Sequence, residues 1–298
     1  MNNITSRLYE NEHDIQIILD LMYRVRPEKH RNDYPVKVDI EENFASDTVC
    51  ANTRLWFEGD RPVAWAYVDL FNNLRCEVEP ALEEPLGAEI VAWCEACVRK
   101  ILPAGGSATL DASCREDHRE RVAFLLRNGF RQTQDTTLCL VRALLEPLPD
   151  PVLPPGYIIR PITGRQEVDA VASSHRAAFG TEHMTTESRL AIMDTSEYDM
   201  SLDLVVVSPD GSIAGNCICS VNETQKRGFT DPISVHPDFQ GMGLARALLL
   251  AGMKLLRERG MESARLGTSG TNHLMQRTAE AVGFTIEYKT IWFSKEVQ

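Results

Sequence analysis

The stretch from Asp231 to Gly260 constrains the fold of this chain more than any other. A short β-branched strand around Ile233 and Val235 stops at Pro237, and Gln240-Gly241-Met242-Gly243-Leu244-Ala245 turns directly into a helix. Ala245, Leu248, Leu249, Gly252, Met253 and Leu256 follow at i, i+3, i+4, i+7, i+8 and i+11, one small or apolar stripe of helical period. Gly260, after Arg257 and Arg259, reads as its stop. A strand that feeds a glycine-rich turn and then a helix leaves the N–H groups of Gly241 to Arg246 without helical acceptors, at the positive end of the helix dipole. Such a turn is an anion site built from main chain, suited to a pyrophosphate.

The spacing narrows which pyrophosphate. A dinucleotide fingerprint needs a third glycine where this chain has Arg246, and the phosphate loop G-x-x-x-x-G-K-[ST] is absent. Gln240, Gly243 and Ala245, between Val235-His236-Pro237 and a long helix, instead resemble the Q/R-x-x-G-x-G/A coenzyme A turn of the GNAT superfamily of N-acyltransferases. Gly267-Thr268, Asn272, Met275 and Gly283-Phe284 resemble the family's next segment, where an Asn opens a helix that closes eleven residues later in Gly-Phe. The resemblance implies an α/β fold, a central mixed and mostly antiparallel sheet flanked by helices. It implies acetyl-CoA as co-substrate, with its pyrophosphate on Gln240, Gly241, Met242, Gly243, Leu244, Ala245 and Arg246. The pantetheine arm would run along Ile233, Ser234 and Val235, with the Val235 N–H polarising the thioester carbonyl. Asn272 matches the position that helps to hold the coenzyme, and is equally a good helix cap, as is Thr271.

Composition sets the compartment and the partners. With 43% hydrophobic and 25% charged residues the chain is an ordinary globular sequence, and 298 residues suggest two domains. A net charge of −12 argues against nucleic acid or an anionic membrane as partner and is compatible with an amine-bearing one. No apolar run approaches the roughly 18 residues of a membrane span, and Met1 to Ser6 show no export pattern. Cys94 and Cys97 have redox spacing, but Leu86, Ile90, Trp93, Cys97 and Ile101 form a helical stripe that places Cys97 in packing. Cys217 and Cys219 alternate on a strand as small apolar fillers. These features point to a reduced, cytoplasmic protein without a metal.

The chain is also written twice. Val78-Glu79-Pro80 returns as Val235-His236-Pro237 and Gly129-Phe130 as Gly283-Phe284, 157 and 154 residues on. Five prolines between Glu146 and Gly156 mark a stiff linker, which gives domains at 1–146 and 156–298 around a linker at 147–155. Turn signals at Gly59-Asp60 and Asp210-Gly211 place a hairpin in each half. The copies differ at the turn. Glu83, Leu86 and Ala88 stand opposite Gln240, Gly243 and Ala245, and a one-residue slip brings Gly87 opposite Gly243. Glu83 and Glu84 repel a pyrophosphate and Pro85 lacks an N–H donor, so the first domain reads as a degenerate, structural copy. Its core is expected from Leu86, Ile90 and Trp93 on one helix and Leu138 and Leu140 on one strand. Tandem arrangements occur in the superfamily, in mycothiol synthases among others; a monomer with its two domains paired like a dimer is expected.

Acyl transfer to an amine needs a base, because an ammonium has no lone pair. Asp231, four residues before Val235, occupies the place of a carboxylate in many relatives, and Glu223 is a second candidate acting through a water. Many relatives carry a tyrosine seven residues after the Asn as the acid for the leaving thiolate; here that position is Ala279, with Tyr288 or solvent as substitutes. His183 lies in the loop after the first helix of the second domain, and His236 caps the strand end. The reading that follows is an acetyl-CoA-dependent N-acetyltransferase acting by direct attack in a ternary complex on a small-molecule or peptide amine. The alternatives are a non-catalytic acyl-CoA-binding regulator and a transferase of longer acyl groups.

Overall fold

Strands of alternating polarity, broken at Gly59-Asp60 and Asp210-Gly211, and helices with one apolar face build two similar layered units in the computed structural model, which describes residues 4–31, 33–102 and 105–298. Met1 to Asn3, part of the stretch read for an export pattern, lie outside the described residues. The first half contains β1 (Ile4–Leu8), α1 (His13–Val25), α2 (Lys37–Phe44), α3 (Asp47–Ala51), β2 (Thr53–Glu58), β3 (Arg61–Val68), β4 (Leu74–Val78), α4 (Glu83–Arg99), β5 (Ala108–Arg115), α5 (Arg119–Arg127) and β6 (Arg131–Ala143). The second contains β7 (Ile158–Pro161), α6 (Val168–Phe179), α7 (Thr186–Met193), β8 (Asp203–Val207), β9 (Ile213–Asn222), β10 (Arg227–Val235), α8 (Leu244–Glu258), β11 (Ser263–Ser269), α9 (His273–Glu280) and β12 (Thr285–Val297).

The contact units do not follow chain order. One comprises residues 1–135 with 290–298, the other residues 136–289, so each half of the chain lends a strand to the other's unit. In the first unit β1, β2, β3 and β4 form an antiparallel sheet, and the C-terminal part of β12 pairs antiparallel with β5, Phe293 opposite Ala112. In the second unit β7, β8, β9 and β10 are antiparallel in sequence, β10 meets β11 in parallel, and β6 closes the far side of β11. The division expected at 146 and 156 therefore differs from the one the contacts draw, and one core assignment is corrected. Leu138 and Leu140 point into the second unit's core, beside Leu248, Met253 and Leu266, because β6 hydrogen-bonds to β11. The first unit's core is filled instead by Phe293 and Val297 from β12, together with Leu86, Ile90, Cys94 and Cys97 of α4. Ile101, expected on that stripe, is exposed.

The proline-rich segment is not a free spacer. Leu148 is buried in the second unit's core, Leu153 packs against it, Asp150 pairs with Lys254 of α8, and Arg257 Nη1 donates to Glu146 O at 3.4 Å. α8 itself buries Leu244, Ala247, Leu248, Leu249, Leu250, Gly252, Met253 and Leu256. Gly252 lets it lie close on β9, since a Cβ there would sit 2.8 Å from Cys219 Sγ; Cys217 and Cys219 are core fillers 3.9 Å apart. On the opposite face of the sheet α6 packs Val171 against Val205 and Val207. Among the described residues, no helix is long and apolar enough to cross a membrane.

Candidate functional site

A notch between β10 and β11 organises the site. The two strands are paired in parallel only from Arg227–Ser263 to Phe229–Arg265. The ladder stops where the sequence places Pro232, which has no N–H to offer, and a one-residue bulge between Thr230 and Ile233 shifts the register with β9. Beyond the bulge, His236 N donates to Ala214 O at 2.9 Å, which makes the even-numbered residues the ones bonded to β9. By the alternation of an antiparallel pair, Ile233 and Val235 turn their N–H and C=O groups the other way, into the notch. On the facing strand, Leu144 N to Glu262 O and Gly270 N to Thr136 O fix the even residues of β11 as those bonded to β6. Gly267 therefore turns its N–H toward β10, and donates it to Asp231 Oδ2 at 3.2 Å. Ser234, on the α6 face, is buried and donates from Oγ to Asn216 Oδ1 at 2.6 Å.

The notch runs out into the glycine turn. After the 3-10 turn Pro237–Phe239, Gly241 and Gly243 adopt φ of +77° and +80°, and an added Cβ at either would meet nothing within 4 Å. Only glycine takes this backbone without strain, and the result is an open surface of main chain. Among the described residues, none of the N–H groups from Gly241 to Arg246 donates a hydrogen bond. They crown the N-terminus of a 15-residue helix, the geometry in which dipole and donors act together on an anion. Gln240 Nε2 donates to Val235 O at 3.2 Å and ties the turn to the strand.

The residues that build this arrangement match a known family. The model of the Acetyltransferase (GNAT) family matches residues 168–284, from the start of α6 to the Gly-Phe that follows α9. Those residues thus carry a GNAT acetyltransferase domain. A mycothiol acetyltransferase of Arthrobacter sp. (strain FB24) is 27% identical over 184 residues, 59% of this chain and 57% of that protein. The chain thus spans less than two thirds of that relative's length. Among solved structures, a GCN5-related N-acetyltransferase from Sphaerobacter thermophilus superposes over 99% of this chain and 96% of its own, with a TM-score of 0.73 at 20% identity. A tandem GNAT protein from the clavulanic acid biosynthesis pathway gives 0.71 at 17% identity, over 99% of this chain and 98% of its own. At such identities these two likenesses speak for the fold.

The remaining residues singled out from the sequence lie on several different elements of the second unit. Asn272, not Thr271, caps α9, its Oδ1 accepting the Met275 N–H at 3.1 Å. Ala279 on that helix is fully buried in the core, so a tyrosine has no room there. Tyr288 lies with its ring 5.9 Å from the guanidinium of Arg265, which is buried and paired with Glu287. Glu223 is not brought to the notch. It sits in the turn between β9 and β10, at the closed end where β10 and β11 are still paired, about 13 Å along the strand from Asp231 to the strand's start. His183 is exposed in the α6–α7 loop, and His236 accepts the Asp238 N–H at 3.2 Å, capping the 3-10 turn. Sequence reasoning missed α7, whose signal was the cap at Thr185, which accepts the Ser188 N–H at 3.1 Å. It also missed His175 of α6, whose ring lies tilted against Phe179 with centroids 4.4 Å apart and is held at a pKa of about 4 by burial and by the nearby Arg189.

The same positions in the first unit are built differently. The 3-10 turn Pro80–Leu82 passes straight into α4 at Glu83, so the four residues that form the glycine turn at Gln240–Gly243 have no counterpart. Gly87 lies inside α4, packed so that a Cβ would sit 2.9 Å from Phe124. Glu79 N donates to Val63 O at 2.8 Å, which leaves the carbonyl of Cys76, the counterpart of Ile233, on the edge facing β5. Arg121 of α5 donates to that carbonyl, and Arg75 Nη1 donates to Ser113 Oγ of β5 at 3.0 Å.

Proposed function

We propose that this chain is an acetyl-CoA-dependent N-acetyltransferase whose active unit is the second, and that the first is a structural copy without coenzyme. The observation that carries the reading is the continuity of notch and turn: main-chain groups of Ile233 and Val235 that face away from β9 lead into six undonated N–H groups at Gly241 to Arg246. A coenzyme with a pyrophosphate and a long amide-bearing arm fits that surface, because the turn supplies donors and a dipole and the strand edge supplies pairing for amides. Acetyl-CoA supplies the acetyl group as an activated thioester.

The chain's own groups then have distinct tasks. Gln240, Gly241, Met242, Gly243, Leu244, Ala245 and Arg246 hold the pyrophosphate, and Ile233 and Val235 hold the arm, with Ser234 between them bonded to β9 and Asn216 and with Asn272 at the neighbouring helix end. The Val235 N–H polarises the thioester carbonyl and stabilises the oxyanion as the amine attacks. Asp231, at the crotch of the notch, takes the proton of the attacking amine, a role Glu223 is too far along the strand to share directly. The thiol of the product has a pKa near that of free cysteine, about 8.5, so water can protonate the leaving group where Ala279 replaces a tyrosine. The acceptor is a primary amine of a small molecule or peptide; the mycothiol acetyltransferase relative favours the small molecule. The absence of a spanning helix among the described residues and eight free cysteines support a cytoplasmic setting.

The test is a panel of amines with acetyl-CoA, followed by thiol release. Turnover that depends on an added amine supports the reading. Tight acetyl-CoA binding with no turnover on any amine supports a non-catalytic regulator, and turnover only with longer acyl-CoA donors supports a different acyl group.

A further inference from the structure

Asp231 is not the only residue its role demands. β10 and β11 part after Phe229 and Arg265, and the first N–H of β11 beyond that point that faces β10 belongs to Gly267. It donates to Asp231 Oδ2 at 3.2 Å, across 36 residues of chain. Alternation also puts both residues on one face of the sheet. Thr230 faces α8, within 3.4 Å of where a Gly252 Cβ would lie, so Asp231 faces away from α8; Leu266 packs in the α8 core, so position 267 faces away as well. A Cβ on Gly267 would stand 3.0 Å from Asp231 Oδ2, closer than ordinary van der Waals contact. A side chain at residue 267 would therefore push the carboxylate by a few tenths of an ångström from its place on this N–H.

We infer that Gly267 is a positioning residue for Asp231: its N–H orients the carboxylate toward the open side of the notch, and its missing side chain leaves the carboxylate the room to lie there. The inference rests on the reading of Asp231 as the base. Hydrogen bonding to one oxygen fixes the plane of the carboxylate and leaves its other oxygen for the incoming amine. Nothing in this arrangement touches the pyrophosphate turn, so the effect belongs to turnover and not to coenzyme affinity.

A double-mutant cycle tests it. G267A is expected to lower kcat about tenfold with acetyl-CoA affinity within twofold of the parent, and D231N to lower kcat a hundredfold or more. The double variant should be no slower than D231N, since Gly267 then has no carboxylate to orient. If G267A is too unstable to assay, D231E keeps a carboxylate but carries it one methylene past the N–H, and should also lose about tenfold in kcat. Full kcat in G267A or in D231E beside a crippled D231N overturns the inference alone, as does a G267A loss that multiplies unchanged in the D231N background. Full kcat in D231N removes the base reading and this inference with it.

Discussion

In the first unit the guanidinium of Arg121 donates to the main-chain carbonyl of Cys76, the position that corresponds to Ile233 in the second. The strand edge that faces an unpaired notch in one copy is thus occupied by a side chain in the other, and the glycine turn beyond it is missing. Burial disfavours the charge on Arg121, but the neighbouring Cys76, Glu77 and Glu83 outweigh it and raise the pKa, so Arg121 does not leave the carbonyl by losing its proton. Titration calorimetry with acetyl-CoA should therefore give one site per chain. Two equivalent sites would contradict the assignment of the first unit as a structural copy.

G243E should raise the acetyl-CoA dissociation constant at least a hundredfold. The substitution places a carboxylate where a pyrophosphate must approach main chain, and gives a side chain to a residue at φ +80°. Because the space around position 243 is open, the cost to the fold is the backbone strain alone, about 1 kcal/mol. Melting temperature and calorimetry on one sample separate the two effects; a melting temperature that collapses along with affinity would count against a local role.

A chain that begins at Pro155 should be insoluble. It lacks β6, so β11 loses its antiparallel neighbour and exposes a strand edge, and the core loses Leu138, Leu140, Leu144 and Leu148. Each of these leucines stabilises the fold by roughly 1.5–3 kcal/mol when fully buried, so the loss is comparable to a domain's whole stability. Starting instead at residue 136 restores the strand, and expression of the two lengths side by side gives the comparison. A soluble, folded chain from Pro155 would mean that β6 is dispensable.

Acid should weaken the second unit through His175. Its imidazole titrates at about 4, below the ordinary 6.5, chiefly because burial disfavours the charged ring and secondly because Arg189 repels it. The unfolded chain takes up this proton at a higher pH than the folded one. The stabilisation is therefore complete above about 6.5 and is lost as pH falls toward 4. Melting temperature measured from pH 7 to pH 4 should fall more steeply for the parent than for H175Q, which carries no titrating ring. Parallel curves would show that His175 does not titrate differently on folding.

What was legible in the sequence was local. The strand, turn and helix from Ile233 to Gly260 could be read because glycines at Gly241 and Gly243 and a 3.6-residue stripe in α8 each demand one conformation. Partners at a distance could not. Alternation shows that Leu138 and Leu140 share a face, but not that the face belongs to the second unit's core. Arg121 on Cys76 and Gly267 on Asp231 join residues 45 and 36 positions apart and leave no periodic trace. Glu223 stood near a strand end in the sequence, as it does in the structure, but only the pairing of β10 with β11 shows that this is the closed end of the notch.

Hydrogen exchange of the main-chain amides with and without acetyl-CoA tests the central claim most directly, because the proposed site is made of those amides. Bound acetyl-CoA should slow exchange from Gly241 to Arg246 and at Ile233 and Val235, and leave Cys76 to Leu86 in the first unit unchanged. Binding without protection of Gly241 to Arg246, or with protection centred on Cys76 to Leu86, would contradict it.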